Sequence, residues 1–266
     1  MKNKRILIIS ISVIFAIILA FVGFFTFTVR TVDVDFDLYN GSESKGVELK
    51  IKLDQYKGRN LMFVSENEII ELIESDPYFE VKSITKNYPD GIKVSITERR
   101  EVYLLNYDAK QYLLTEDGKV LCEFLGTDTS KYLKLEISDL TVNSCEIGQK
   151  LKCVESQELD NAFEIAKTVN LNDCVNEISV QRTPTTDITK PIGSKDTVIV
   201  FKTKTNVSIT IRNADSRGIE KAQEVFKKFD EISDYNKSYY QLEVFEEIDT
   251  ITGDKNIKVV WTKNGD

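Results

Sequence analysis

The chain has 266 residues, of which 41% are hydrophobic and 29% are charged, a composition typical of a protein that folds around a core. Its net charge of −8 and its pI near 5 argue against nucleic-acid binding and against docking on anionic lipid. The chain has no histidine, which excludes Ser-His-Asp and Cys-His chemistry as well as histidine-ligated metals.

The N-terminal region contains 23 consecutive uncharged residues, 6–28, directly behind Lys2, Lys4 and Arg5. As a helix rising about 1.5 Å per residue, this stretch is about 35 Å long and can cross a hydrocarbon core of about 30 Å. Because basic residues stay on the cytoplasmic side, residues 1–5 are predicted to form a cytoplasmic tail, with everything after the span outside. The alternative is a cleaved signal peptide, whose apolar region normally runs about 7–15 residues and ends at a small-residue site. The longer run here, which ends Phe-Phe-Thr-Phe-Thr, favours an uncleaved transmembrane helix.

Small residues recur along one side of this predicted span, at Ser12, Ala16, Ala20 and Gly23. Spacings of four, four and three place them on one face of a helix, where small side chains allow another transmembrane helix to approach closely. They are therefore candidates for a transmembrane packing face. Chance placement in an apolar run is the alternative.

The cysteines, Cys122, Cys145, Cys153 and Cys174, all lie in the part predicted to be extracytoplasmic. An even number of cysteines outside the cytoplasm permits disulfides, and Cys145–Cys153 is the most local pairing. Partly buried free thiols are the alternative. Since no Cys-x-x-Cys motif occurs, neither a redox motif nor a cysteine zinc site is predicted, and we expect no metal or cofactor.

Residues 29–99 show the order of a small α+β module. Val29 to Phe36 alternates apolar and acidic residues, as a half-buried strand does. A capping-box sequence opens the segment from Ser65 to Ile73, which predicts a helix start. Two further strands are predicted, from Val81 to Tyr88 and from Ile92 to Ile96, and the Pro-Asp-Gly sequence between them is typical of a hairpin turn.

One segment of this module is ambiguous. Val47, Leu49, Ile51 and Leu53 are apolar at every second position, which in isolation is a strand pattern. The alternative is a helix, and the sequence leaves both possibilities open.

Several motifs in this region resemble a POTRA domain, namely Gly58-x-Asn60-Leu61-x-Phe63, Pro77-Tyr78-Phe79-x-Val81 and Pro89-x-x-Ile92-x-Val94-x-Ile96-x-Glu98-Arg99. A single-span anchor directly before one such domain resembles the FtsQ/DivIB family of bacterial cell-division proteins. The resemblance implies a β-α-α-β-β module at residues 29–99. Glu98 and Arg99 at its end are interpreted either as a salt bridge to the next domain or as a pair of solvated charges.

Residues 100–266 are predicted to form a second α+β domain. Alternating apolar residues predict strands, and the helical spacing of apolar residues predicts helices from Glu155 to Asn170 and from Ile219 to Ile232. The order of these elements resembles the FtsQ-type β domain, which implies a mixed β domain with two helices packed on an antiparallel sheet.

The family resemblance implies a non-enzymatic scaffold of the division septum, anchored in the cell membrane. Its partners would be FtsL-like and FtsB/DivIC-like bitopic coiled-coil proteins, and it would help recruit or regulate the septal peptidoglycan synthase. In such proteins the partner adds a strand near the C-terminal strands of the β domain. Carried onto this sequence, the candidate partner-binding residues are Tyr239, Tyr240, Leu242, Val244 and Trp261.

Core packing is the alternative for these residues, above all for Leu242 and Val244, since one alternating face of a strand must point inward. Tyr239 and Trp261 are the better candidates for surface anchors, because aromatic side chains are enriched at interface hot spots. Two other functions are weighed against the scaffold, an anchored cell-wall enzyme and a POTRA-type secretion or assembly chaperone. No catalytic constellation supports the enzyme, and chaperones of that kind usually carry POTRA domains in series or before a membrane barrel.

Overall fold

The structure is a computed structural model that describes residues 2–39, 43–169, 174–185, 190–232, 240–248 and 254–263. Backbone contacts divide the chain into two compact units, Met1–Arg99 and Arg100–Asp266. Each unit has its own hydrophobic core.

The first unit begins with helix α1 (Lys2–Thr26). Across the described residues, the structure contains no helix that is long and apolar enough to cross a membrane. Ser12 and Ala16 are exposed on α1, and a Cβ built on Gly23 would have no atom within 4 Å. The side chain of Ala20 lies outside the described residues, so the proposed packing face stays a prediction.

The remainder of this unit has the element order β-α-α-β-β that the resemblance implies. Its elements are β1 (Thr31–Asp37), α2 (Glu43–Leu53), a 3-10 turn (Asp54–Tyr56), α3 (Glu66–Glu74), β2 (Phe79–Asn87) and β3 (Gly91–Glu98). Within the described residues the strands form one sheet with β3 in the centre, parallel to β1 and antiparallel to β2. The two helices cover this sheet with side chains that are almost completely buried, among them Leu49, Leu53, Ile69 and Ile73.

The ambiguous segment is a helix, so the strand pattern was misleading. In α2, Gly46, Leu49 and Leu53 are buried, and their spacings of three and four place them on one helical face. Val47 and Ile51 lie four residues apart on another face and are exposed. The alternation arose because apolar residues occupy two helical faces, of which only one is buried.

Helix α3 starts where the capping-box sequence predicts, but the capping hydrogen bond is absent. Ser65 is the N-cap residue, and its side chain makes no cap bond. The carboxylate of Glu68, which would complete the box, instead pairs with the Arg59 guanidinium at 3.4 Å.

The Glu98-Arg99 pair is largely buried, so the interpretation as solvated charges was wrong. Arg99 Nη1 donates to the carbonyl oxygens of Pro77, at 3.0 Å, and of Phe79. Its guanidinium also lies 3.6 Å from Glu74 and 3.8 Å from Glu80. Glu98, in turn, accepts a hydrogen bond from the Tyr39 amide at 2.8 Å. All of these groups belong to the first unit.

The second unit is built on a large sheet. Its elements are β4 (Tyr103–Tyr107), β5 (Lys110–Leu114), β6 (Val120–Glu123), β7 (Leu133–Ser138), β8 (Val142–Ser144), β9 (Lys152–Cys153), α4 (Ser156–Thr168), β10 (Val175–Pro184), β11 (Lys195–Thr203), β12 (Ser208–Ile211), α5 (Gly218–Glu231), β13 (Tyr240–Ile248) and β14 (Lys255–Lys263). Nine of the described strands pair in the order β14-β13-β12-β11-β10-β7-β4-β5-β6, while β8 and β9 form a separate ribbon.

This sheet is mixed, which corrects the expectation of an antiparallel one. The pairs β4–β7, β7–β10 and β12–β13 are parallel. Helix α4 lies in the chain between β7 and β10, and α5 lies between β12 and β13. A helix between two strands returns the chain to the end where it started, so the second strand pairs in parallel with the first. Helices α4 and α5 contact each other, and α5 packs on β12, β13 and β14.

All four cysteines are free thiols in the structure, which favours free thiols over the alternative of disulfides. Burial raises the pKa of the Cys145 and Cys153 thiols to about 11. At neutral pH both are therefore protonated, and a protonated thiol is a poor nucleophile and a poor metal ligand.

Candidate partner-binding surface

The candidate surface is one end of the large sheet, formed by β13 and β14. In the described part of the chain, β14 pairs only with β13, while β13 also pairs with β12. The outer side of β14 is therefore a sheet edge, where alternate backbone N–H and C=O groups lack a neighbouring strand. Such an edge is a template for the addition of one more strand.

The register of the two strands shows which side chains share a face. Leu242 lies opposite Trp261, and Val244 lies opposite Val259. Directly opposite residues of an antiparallel pair point to the same side of the sheet. Leu242 is only 1% exposed and Val244 is also buried, so this face covers the core beneath α5.

Trp261 shares this apolar face but is 41% exposed. Its ring meets the Tyr240 ring edge to face, with the centroids 5.9 Å apart and the planes at 79°. Two of the predicted partner-binding residues are thus brought together near the end of the sheet, where large apolar area remains accessible. Leu242 and Val244 are core residues, and Tyr239 lies outside the described residues.

A shallow cleft runs between α5 and β14. Ile257 and Val259 form its apolar floor, and the side chains that line it from the helix and its N-cap are Arg217, Glu220, Gln223, Glu224 and Lys228. Sequence reasoning did not name Ile257 and Val259 as partner-binding residues. Their alternation with Trp261 predicted a strand, but only the strand order shows that this strand is an edge with a helix beside it.

The edge strand is basic within an acidic protein. Its exposed Lys255, Lys258 and Lys263 are accompanied by no acidic residue in β14. Lys258 pairs with Glu247 of β13 at 2.7 Å. Lysines on an edge strand oppose pairing between two copies of the same edge, because like charges would meet. They also favour a partner segment that carries acidic residues.

The loop between β12 and α5 is held by a buried lysine close to this surface. Lys221 is fully buried, and its ammonium donates to the backbone oxygens of Arg212 at 3.0 Å and Asn213 at 2.8 Å. Burial lowers the pKa of Lys221. The ammonium thus links two successive carbonyls of this loop.

The described residues include no group of three or more cysteine, aspartate or glutamate side chains that could hold a metal ion. The surface instead combines an open strand edge, a pair of aromatic rings and an apolar cleft. These are the features of a surface that binds a polypeptide.

Comparison with known proteins finds similarity over part of the chain. Residues 47–99 match a family model described as the POTRA domain, FtsQ-type. The chain is 24% identical over 120 residues to the cell division protein DivIB of Clostridium botulinum strain Hall, and 26% identical over 117 residues to that of Clostridium acetobutylicum. The resemblance to the FtsQ/DivIB family is confirmed.

The extent of these matches is limited. Each of the two alignments covers 44% of this chain and 46% or 45% of the relative, so the chain spans about half the length of the curated relatives it matches. A solved structure of the major extracytoplasmic domain of the trans isomer of DivIB from Geobacillus stearothermophilus aligns over 48% of this chain and 95% of that chain. The identity is 12% and the TM-score is 0.25, which is too low to inform the fold.

Proposed function

We propose that this protein is a non-enzymatic, membrane-anchored scaffold of the bacterial division septum. In this proposal residues 1–5 are cytoplasmic, residues 6–28 cross the cell membrane, residues 29–99 are the POTRA domain and residues 100–266 are the FtsQ-type β domain, outside the membrane. The match to DivIB cell-division proteins and the FtsQ-type POTRA model support it.

The proposed activity is the binding of FtsL-like and FtsB/DivIC-like bitopic division proteins at β14. The observation that carries this proposal is an edge strand, paired on one side only within the described residues, whose exposed Trp261 lies beside an apolar cleft. A partner strand would add to β14 through its backbone, and a partner side chain would pack in the cleft on Ile257 and Val259. The lysines of β14 favour a partner segment with acidic residues between its apolar ones.

Through these partners the protein would help recruit or regulate septal peptidoglycan synthesis, without chemistry of its own. The small residues of α1, Ser12, Ala16, Ala20 and Gly23, are proposed to pack against the transmembrane helices of the same partners. Exchange of residues 6–28 for an unrelated transmembrane helix tests this second contact. If the complex with the partners forms equally well after the exchange, the segment serves only as a membrane anchor.

The deciding experiment is co-purification of the full chain with its two bitopic partners from detergent-solubilised membranes. Trp261→Ala is expected to weaken partner binding about 30-fold, which corresponds to the about 2 kcal/mol of an interface hot spot. Thr262→Ala is the matched control, because Thr262 is exposed on the opposite face of the same strand. Equal partner recovery from the Trp261→Ala variant and the wild type would contradict binding at this edge.

A backbone test separates strand addition from side-chain docking. Thr262→Pro and Lys263→Pro each remove one amide N–H, and successive amides of a strand point to opposite sides. One of these amides faces β13 and the other faces the open edge. The edge-facing proline should leave the fold intact, as judged by thermal unfolding, and should abolish partner recovery. Full partner recovery from the folded edge-facing variant would exclude strand addition.

A further inference from the structure

We infer that the first unit contacts the lipid bilayer directly, through Met62, Phe63 and Tyr88 around the C-terminal end of α1. This inference rests on the proposed function, in which α1 is the membrane anchor. It adds that these side chains enter the interfacial layer of the membrane, so that the first unit is held against the bilayer surface.

Two loops are tied to the chain immediately after α1. In the first, residues 57–63, the Arg59 carbonyl accepts a hydrogen bond from the Val29 amide at 2.8 Å, and the Leu61 amide donates to the Phe27 carbonyl at 2.6 Å. In the second, the turn at residues 88–90, the Asp90 carbonyl accepts from the Arg30 amide at 2.8 Å. Both loops are therefore fixed within a few residues of Thr26, where α1 ends.

These loops present large apolar side chains to the surroundings. Phe63 is 81% exposed, Tyr88 is 61% exposed and Met62 is 59% exposed. Such exposure costs free energy in water, and several apolar side chains exposed near one another mark a contact surface. Aromatic residues are enriched at the membrane–water interface, where the ring meets the lipid and polar groups remain hydrated.

The apolar surface continues from these loops onto α1 itself. The ring of Tyr88 meets the ring of Phe27 edge to face, with the centroids 5.9 Å apart. The exposed Phe21 and Phe25 of α1 line one cleft together with Pro89 of the second loop. Lipid that surrounds the end of α1 would also reach the side chains of these loops. We therefore take lipid as the molecule that covers this surface.

The distribution of charge in the first unit agrees with an orientation in which its α1 end lies against the bilayer. At the α1 end, Arg30 pairs with Asp90, Lys57 pairs with Asp54 and Arg59 pairs with Glu68, so these exposed cations are locally neutralised. The acidic residues of β1 instead run toward the opposite end, since Thr31 lies beside Gly91 and Asp37 beside Thr97. The acidic balance of the whole chain argues against docking driven by lipid charge, so the proposed contact is apolar.

A single fluorophore in the full chain tests the contact. Trp261 is the only tryptophan, so Trp261→Phe gives a silent background for one new tryptophan. In that background, Phe63→Trp is reconstituted into phosphatidylcholine vesicles with brominated acyl chains. Its emission should move to shorter wavelength than in the unfolded chain and should be lost through quenching by the brominated lipid. Addition of salt or of phosphatidylglycerol should not change the result, because the contact is apolar.

Tyr39→Trp in the same background is the matched control. Tyr39 is partly exposed and follows β1 at the far end of the unit, where its amide binds the Glu98 carboxylate. Its emission should not be quenched by the brominated lipid. Equal quenching at the two positions, or none at Phe63→Trp, would overturn the inference while the anchor stands. A blue shift at Phe63→Trp without quenching would also overturn it, since protein then covers the site.

Alkaline extraction of the same vesicles separates the two proposals. If the chain resists extraction, α1 is an anchor, and the fluorescence result then decides the contact of the loops alone. If the chain is extracted, the anchor fails, and the inference that rests on it fails as well.

Discussion

Gly118 occupies a position where both the backbone conformation and the surrounding space require glycine. Its φ of +82° lies in the left-handed region, and a Cβ at this residue would overlap the ring of Phe163. Its amide donates to the Thr115 carbonyl at 3.0 Å, which closes the turn between β5 and β6. The turn thereby brings the backbone into direct contact with α4.

We predict that Gly118→Ala destabilises the second unit more than Gly193→Ala does. Gly193 has a similar φ of +87°, but a Cβ there would have no atom within 4 Å. Gly193→Ala should cost about 1 kcal/mol from backbone strain alone. Gly118→Ala should cost about 1–3 kcal/mol more, because the Phe163 ring must move. Denaturant unfolding followed by Trp261 fluorescence measures both values, and equal losses would mean that the ring accommodates the methyl group.

Lys221 is a buried cation whose protonation is linked to folding. Burial is the largest influence on its pKa and lowers it, and Arg217 acts in the same direction. Glu246, Asp196 and Asp215 act in the opposite direction without cancelling the effect of burial. A pKa that is lower in the folded than in the unfolded chain means that the charged form destabilises the fold. That penalty is complete below the folded-state pKa and disappears as the pH rises to the ordinary lysine value of 10.5.

The wild type should therefore gain stability relative to Lys221→Met as the pH is raised from neutral toward 10.5. The difference between their free energies of unfolding should increase over this range, because the pKa of Lys221 is lower in the folded than in the unfolded chain. Urea unfolding at a series of pH values measures it. Lys227→Met, on the exposed side of α5, controls for the loss of one lysine charge. A difference that stays constant with pH would show that burial of Lys221 has no net effect on its protonation.

At the scale of elements, the sequence predicted most helices and strands, and the errors have identifiable causes. Helix α5 was evident because its apolar residues recur at a single helical spacing. Helix α2 was ambiguous because Val47 and Ile51 are apolar without being buried. The ribbon of β8 and β9 was missed because three and two residues are too few for a recognisable alternation. Parallel pairing was also missed, since alternation alone contains no information on strand direction.

Paired substitutions in α2 test its helical assignment. Leu49→Ala should destabilise the first unit by about 2–5 kcal/mol, because it removes a buried side chain from a packed core. Ile51→Ala, two residues further along, should change stability by less than about 0.5 kcal/mol, because its side chain is exposed. Amide hydrogen exchange in β2 and β3 measures the two effects. Similar losses from both would indicate that the segment buries alternate residues, as a strand does.

The candidate site was predictable only in part, because the sequence pattern does not reveal the strand order of the sheet. Aromatic and alternating residues near the C-terminal strands were visible in the sequence, including Tyr240 and Trp261. Whether such a residue is buried depends on the strand order and on the position of α5, and neither is encoded locally. Leu242 and Trp261 lie directly opposite each other on one face, yet one is covered and the other is exposed.

At the scale of the whole molecule, two closed cores imply two separate stabilities. Leu53→Ala should lower amide protection in the first unit and leave the unfolding of the second unit, reported by Trp261, unchanged. Phe201→Ala should do the reverse, because both side chains are fully buried in different cores. Each substitution should cost about 2–5 kcal/mol in its own unit. A single transition that shifts with either substitution would show that the units unfold together.

The strand order of the large sheet also determines the sequence in which the sheet can be assembled. Read from the β6 edge, the order is β6, β5, β4, β7, β10, β11, β12, β13 and β14. Strand β7 joins the free edge of β4, and each later strand of this sheet joins the edge left by the sheet strand before it. A chain that leaves the ribosome or crosses the membrane N-terminus first can therefore extend this sheet one strand at a time. If the strands add in this order, the proposed partner edge is completed last among the described strands. An accessible β14 edge then indicates that the unit has folded. A partner that binds this edge would bind folded molecules in preference to partly folded ones.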